Sequence, residues 1–309
     1  MTFAMFFFNA DRTLYGRYGT KHARDLTLEG LKSALRGALE MHRRPPTPAP
    51  RPAPAWKTPE LMPTLATRHR KGDISSYGCI HCHSVNEGEV TSRWRLGETI
   101  PDRLLWKHPL PNVLGLAVDP KDGRTVQRST AAGLQPGDRL AAVEGRPILS
   151  VADVSAALHE APETGTLRIR KEGGPEVGIP LAAGWRRRLP FARNNTTAMM
   201  QMTTAGFFCE AMPAGDRAKR GLPDTALALR VTYMPNATDP DPNLNAAKAG
   251  LRVGDVIVGV DGHAGRWSVD DWLAYLFQKK KPGETLELKI LRAGETRSIA
   301  VPLPGVLSK

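Results

Sequence analysis

One heptapeptide occurs twice in this chain. Ala132-Gly133-Leu134-Gln135-Pro136-Gly137-Asp138 returns as Ala249-Gly250-Leu251-Arg252-Val253-Gly254-Asp255, an offset of 117 residues. Val143-Glu144-Gly145 is matched by Val260-Asp261-Gly262 at the same offset, and Ser150-Val151-Ala152-Asp153 by Ser268-Val269-Asp270-Asp271 at one residue more. A period this long exceeds the roughly 20 to 50 residues of stacked repeats, so it specifies a duplicated domain.

The order of signals inside each copy narrows the fold. The two glycines of the heptapeptide mark a sharp turn, which feeds strands at Arg139 to Val143 and Val256 to Val260. An acidic-Gly turn follows in both copies. Then come amphipathic helices, Val151 to His159 with Val154 and Leu158 on one face, and Val269 to Phe277 with Trp272, Leu273 and Leu276. Gly165 and Gly283 introduce closing strands at Thr166 to Arg170 and Thr285 to Leu291.

This order, and the Ala-Gly-Leu-x-x-Gly-Asp element above all, resembles the bacterial PDZ family, the kind appended to periplasmic proteases. The resemblance implies an α+β chain with two PDZ-like, partly open β-barrels carrying helices, at residues 104–183 and 222–303. It also implies the partners: polypeptide C-termini or extended segments that add as a strand between the second strand and the long helix. In the first copy the implied carboxylate loop is Asn112-Val113-Leu114-Gly115, leading into a strand from Leu116, with Val154 and Leu158 facing the groove. Gly115 would let the backbone approach the ligand closely. In the second copy the matching stretch reads as Ala226-Leu227-Ala228-Leu229, without the glycine, and Asn236 to Asn245 reads as an inserted loop.

Ahead of the duplication, residues 1–42 read as strand, turn, strand and helix. Thr2 to Phe8 and Thr13 to Tyr18 flank the turn cluster Asn9 to Arg12, and Leu28, Leu31, Leu35 and Leu39 give a helical stripe behind an N-cap at Thr27. Phe6-Phe7-Phe8-Asn9-Ala10-Asp11 and Tyr15-Gly16-Arg17-Tyr18-Gly19 resemble the C-terminal half of a thioredoxin-like domain. The βαβ portion that holds that family's redox cysteines is absent from the sequence, so this fragment is expected to do no thiol chemistry by itself. A hairpin plus one helix buries little apolar surface. Either it docks on the rest of the protein or the chain is an N-terminally shortened version, and the second is the expectation. Eight prolines between Arg43 and Pro63 specify an extended linker.

Residues 64–103 contain Cys79-Ile80-His81-Cys82-His83, which fits the C-x-x-C-H signature of c-type haem attachment. Cys79 and Cys82 would form the thioethers and His83 would ligate the metal. A dithiol stabilised by the central histidine is a second reading, and a metal site using Cys79, Cys82 and His83, with His81 as a further candidate ligand, is a third. Haem attachment and disulfide exchange both place the protein outside the cytoplasm, although Met1 to Phe8 has no basic region or cleavage site and reads as a strand.

The 43 Lys+Arg outnumber the 31 Asp+Glu, giving +12, yet they sit in short scattered groups without interleaved aromatics. No specific nucleic-acid partner is expected. No stretch approaches the roughly 20 apolar residues of a membrane helix. Nucleophile-elbow, phosphate-loop, dinucleotide and zinc-protease motifs are all missing. The chain therefore reads as an extracytoplasmic peptide-binding adaptor. The competing reading is a haem electron carrier or thiol-disulfide protein whose PDZ-like parts position the redox site. Residues 184–221, including Met199, Met200 and Met202, read as a packing connector, with Cys209 as a small buried hydrophobe.

Overall fold

The computed structural model describes residues 3–20, 26–44, 62–64, 82–188, 195–237 and 243–307. In chain order these form β1 (Phe3–Phe8), β2 (Leu14–Thr20), α1 (Leu28–Arg43), α2 (Cys82–Arg95) and α3 (Asp102–Leu105). A 3-10 turn, Pro111–Leu114, precedes β3 (Leu116–Val118), β4 (Val126–Ser129), β5 (Leu140–Val143), β6 (Arg146–Pro147), α4 (Val151–Glu160), β7 (Gly165–Lys171) and β8 (Glu176–Leu181). After a second 3-10 turn, Trp185–Arg188, come α5 (Asn195–Ala205), β9 (Phe208–Ala211), α6 (Ala214–Ala218), β10 (Leu229–Tyr233) and α7 (Asn245–Lys248). The chain ends with β11 (Val256–Val260), α8 (Val269–Gln278), β12 (Thr285–Arg292) and β13 (Glu295–Pro302). The architecture is mixed α/β with open sheets.

The described residues gather into two compact units. One lies within Met1–Ala55 and Asp102–Ala192, the other within Trp56–Pro101 and Arg193–Lys309. The proline-rich stretch from residue 45 to 61 lies outside the described residues, and α2 belongs to the second unit.

The repeated heptapeptide builds the same turn in both units, and its chemistry is structural. Gly133 and Gly250 have φ of 82° and 93°, and Gly137 and Gly254 of 92° and 93°, a left-handed region that costs side-chain-bearing residues energy. The aspartate closes the turn: Gln135 N–H donates to Asp138 Oδ2 at 2.8 Å, and Arg252 N–H to Asp255 Oδ2 at 2.8 Å. The second glycine ties the turn back to the sheet, because Gly137 N–H donates to Val126 and Gly254 N–H to Val231, each at the carbonyl. The acidic-Gly turns agree too, with Glu144 and Asp261 at φ of 48° and 47° ahead of Gly145 and Gly262. Ser150 and Ser268 cap the long helices by accepting from the N–H of Ala152 and Asp271.

In the first unit β6-β5-β7-β8 make a four-stranded sheet and β3-β4 a separate pair, joined by a bridge between Thr125 and Arg139. Leu140, Val143, Leu158, Leu167 and Ile169 are at 0% exposure and centre the core. Arg186 closes the C-terminal end of α4. Its guanidinium is buried and donates to the carbonyls of Leu158 (2.8 Å), His159 (3.2 Å) and Ala161 (2.5 Å), and it pairs with Glu163. One cation thus gathers three carbonyls at the helix end, sharing that of Leu158 with the capping Ala161 N–H.

The N-terminal hairpin and helix dock on this unit. Thr27 caps α1 by accepting from Gly30 N–H at 2.9 Å, and its hydroxyl donates to the Pro120 carbonyl. Ser150 donates to the Arg17 carbonyl, and Leu149 packs with Phe7, Tyr15, Tyr18, Ala34 and Ala38. Of the leucine stripe only Leu31 packs against this cluster: Leu28, Leu35 and Leu39 are exposed, and Gly30, Ala34 and Ala38 are buried instead. The helix lies too close for leucine, since a Cβ on Gly30 would collide with the Pro120 carbonyl and one on Gly37 would stand 2.7 Å from Leu149 Cδ2.

In the second unit β13-β12-β11-β10-β9 form one five-stranded sheet. Ile257, Val260, Leu286, Ile290 and Val301 are at 0% exposure in its strands. Helix α2 packs in the same unit, its Trp94 indole N–H donating to the Lys280 carbonyl at 2.9 Å.

Candidate functional site

The residues implied as a peptide groove come together in the first unit. Val113, Leu114, Leu116, Val154 and Leu158 belong to one apolar cluster. They are its interior, with Val154 at 1% and Leu158 at 0% exposure, so the two helix residues form the floor beneath the gap between β3 and α4 instead of standing in it. Asn112 is exposed. Gly115 has φ of 71°, caps the 3-10 turn, and gives its carbonyl to Thr130 N–H at 3.0 Å. A Cβ there would strike the Thr130 hydroxyl, so glycine is required by its own neighbour in the sheet.

The β3-β4 ladder decides which backbone groups face outward. Thr130 N–H donates to Gly115 and Asp119 N–H to the Thr125 carbonyl, so the directly paired Leu116–Ser129 and Val118–Val126 are not hydrogen-bonded to one another. In antiparallel pairs such positions alternate, which turns the N–H and C=O of Leu116 and Val118 away from β4, toward the outer edge. The far end of this edge meets the docked fragment, where Tyr18, Gly30, Pro120, Ser150 and Val151 line a shallow pocket.

Pairing reveals the equivalent edge in the second unit, in a place the sequence reading did not assign. Val126 and Val231 make the same two bonds, each donating to the aspartate carbonyl of its heptapeptide and accepting from the second glycine. β10 is therefore the counterpart of β4, and β9 of β3. Both pairs carry an irregularity at the same point, between Ala117 and Val118 in one and opposite Phe208 and Cys209 in the other. Leu114-Gly115-Leu116 thus corresponds to Ala205-Gly206-Phe207, and Gly206 shares the left-handed φ, 80°. Ala226 to Leu229, read from the sequence as the matching stretch, instead lead into β10, with Leu227, Ala228 and Leu229 buried.

Cys209 is buried as expected, and burial pushes its thiol well above the usual range. Of the Cys-Ile-His-Cys-His segment, Cys79 and His81 lie outside the described residues, while Cys82 and His83 are the first two residues of α2. Among the described residues no cluster of His, Cys, Asp or Glu is arranged to hold a metal ion, and no helix is long and apolar enough to cross a membrane.

Comparison with known proteins bears on the second unit. Residues 231–303 match the PDZ domain family. A probable periplasmic serine endoprotease, DegP-like, of Halomonas elongata is 43% identical over 65 residues, which are 20% of this chain and 13% of that protein. Among solved structures, the HtrA-type protease AlgW with decapeptide is 15% identical, with a TM-score of 0.30, over 60% of this chain and 57% of that one. The AlgW structure with tripeptide is 14% identical, with a TM-score of 0.30, over 63% and 68%. The aligned segment is a small fraction of the curated relative's length. The chain carries a PDZ domain at residues 231–303, related to that of a DegP-like protease.

Proposed function

We propose that this protein is a peptide-binding adaptor in which the first unit carries a second PDZ-like module at residues 104–183, and that this first module receives an extended polypeptide as an added strand on β3. The observation that carries the reading is the outward-facing N–H and C=O of Leu116 and Val118 along the edge of a two-stranded sheet. Asn112 to Gly115 would meet the peptide's terminal carboxylate, and the floor made by Val113, Leu114, Val154 and Leu158 would set how large a terminal side chain fits. The relationship to a periplasmic protease's PDZ domain supports an extracytoplasmic location.

The test is a nuclear magnetic resonance titration of the whole chain with an N-acetylated decapeptide ending in a free Val carboxylate. The Leu116 and Val118 amides should shift, and the C-terminally amidated peptide should bind more weakly. Unmoved Leu116 and Val118 amides at millimolar peptide would refute the assignment.

A further inference from the structure

Gln201, at 0% exposure in α5, holds both backbone polar groups of one residue. Its Oε1 accepts the Cys209 N–H at 3.0 Å, and its Nε2 donates to the Cys209 carbonyl at 3.4 Å. The same Oε1 accepts the indole N–H of Trp272, on α8, at 3.1 Å and lies 3.2 Å from Cys209 Sγ.

The position of Cys209 gives these bonds their meaning. Val231 directs its N–H and C=O toward the heptapeptide turn, so the Cys209–Val231 pair is not hydrogen-bonded and Cys209 presents its groups at the outer edge of β9. An antiparallel strand arriving there would accept that N–H and donate to that carbonyl. The Gln201 carboxamide, one carbonyl and one N–H donor in a plane, does both.

Gln201 also bridges from the edge strand to the long helix, across the gap whose counterpart in the first unit is β3 to α4. The rest of the cover is continuous with it: Met200 and Ala205 of α5 are buried, Phe207 stacks on Trp272, and Trp94 of α2 meets Phe277 of α8 edge-on at 6.1 Å.

We propose that α5 is an internal ligand of the second module: Gln201 occupies the β9 edge in place of a peptide backbone, and this module takes no outside peptide while α5 is seated. The inference stands on the β9 edge and is independent of whether β3 captures peptide. Lifting α5 would strand the Cys209 N–H and C=O and the Trp272 indole N–H in a buried site, so the seat is stable until a group with the same donor and acceptor replaces it.

Amide hydrogen exchange in the full chain tests this without any peptide. Gln201→Met keeps the volume and removes the bonds; Gln201→Asn, one methylene shorter, is a second variant that keeps the amide out of reach. Exchange at Cys209 should rise about tenfold or more relative to Val231, as for the loss of one net hydrogen bond. Alkylation of the Cys209 thiol, located by mass spectrometry, should accelerate with it. The Val-terminated decapeptide should shift Phe207 to Ala211 in the variants and not in the parent. Unchanged Cys209 exchange relative to Val231 in both variants, or peptide-induced shifts at Phe207 to Ala211 in the parent, would overturn the proposal.

Discussion

Asp153 receives Arg17 twice, from the backbone N–H at 3.0 Å and from the guanidinium at 3.3 Å, while Leu149 N–H donates to its other oxygen at 3.1 Å. Arg17 belongs to the N-terminal hairpin and Asp153 to the first turn of α4, so the carboxyl fastens the fragment to the helix.

Burial outweighs these donors and raises the Asp153 carboxyl to about 6. In the unfolded chain it would release its proton near ~3.9. The folded state therefore binds more protons between those values, and the contribution of this group to stability is complete below about pH 4 and is lost as pH rises through about 6. The first unit should lose on the order of 3 kcal/mol over that interval from this group. Urea unfolding at pH 4 and pH 7 reads the slope, and Asp153→Asn should flatten it.

Arg186→Ala should cost the first unit about 3 kcal/mol, because the carbonyls of Leu158, His159 and Ala161 each lose a charged donor and Glu163 loses its partner. Arg186→Lys should recover only part of that, since an ammonium lacks the planar fork. Thermal unfolding of the two variants side by side gives the comparison.

Gly30→Ala should loosen the docking of α1 by about 1 to 3 kcal/mol, as for an overpacked contact, because the added methyl meets the Pro120 carbonyl, which is backbone and cannot rotate away. Leu35→Ala, on the exposed side of the same helix, should change stability by about 0.5 kcal/mol or less. Faster exchange at the amides of Tyr18 and Gly30 in the first variant alone would locate the effect.

The duplicated aspartates should not be equivalent under mutation. Asp255 is at 2% exposure and accepts from Nε and Nη2 of Arg292, each at 2.6 Å, whereas Asp138 is partly exposed and meets Lys171 at 3.4 Å. Asp255→Ala should destabilise its unit by about 3 to 5 kcal/mol by leaving a cation without its partner, and Asp138→Ala by about 1 kcal/mol. Denaturant melts of the two variants report the difference.

The parts of this fold legible in sequence are those that glycine, aspartate and serine dictate through the backbone: the two heptapeptide turns, the acidic-Gly turns, and the caps at Ser150 and Ser268. The buried face of α1 was not legible, because leucine periodicity signals an apolar stripe but close approach selects Gly30, Ala34 and Ala38. The second edge was hidden by distance along the chain. From Gly115 to Ala132 is 17 residues, whereas from Gly206 to Ala249 is 43, so the apolar alternation of Ala226 to Leu229, nearer the heptapeptide, read as the match. Only the hydrogen bonds of Val126 and Val231 restored the alignment. Nothing in the residue order shows that Gln201 would bond eight positions ahead.

If the first unit takes peptide on β3 as proposed and Gln201 stays seated, two modules would not double the valence of the molecule. Each chain would present one receptive groove, so a ligand with two tails would join two chains and stop, without the networks or the avidity that two open grooves would produce. A peptide backbone in solution also finds no unsatisfied Cys209 to pair with, which removes one flank along which β-sheets of neighbouring molecules could grow together.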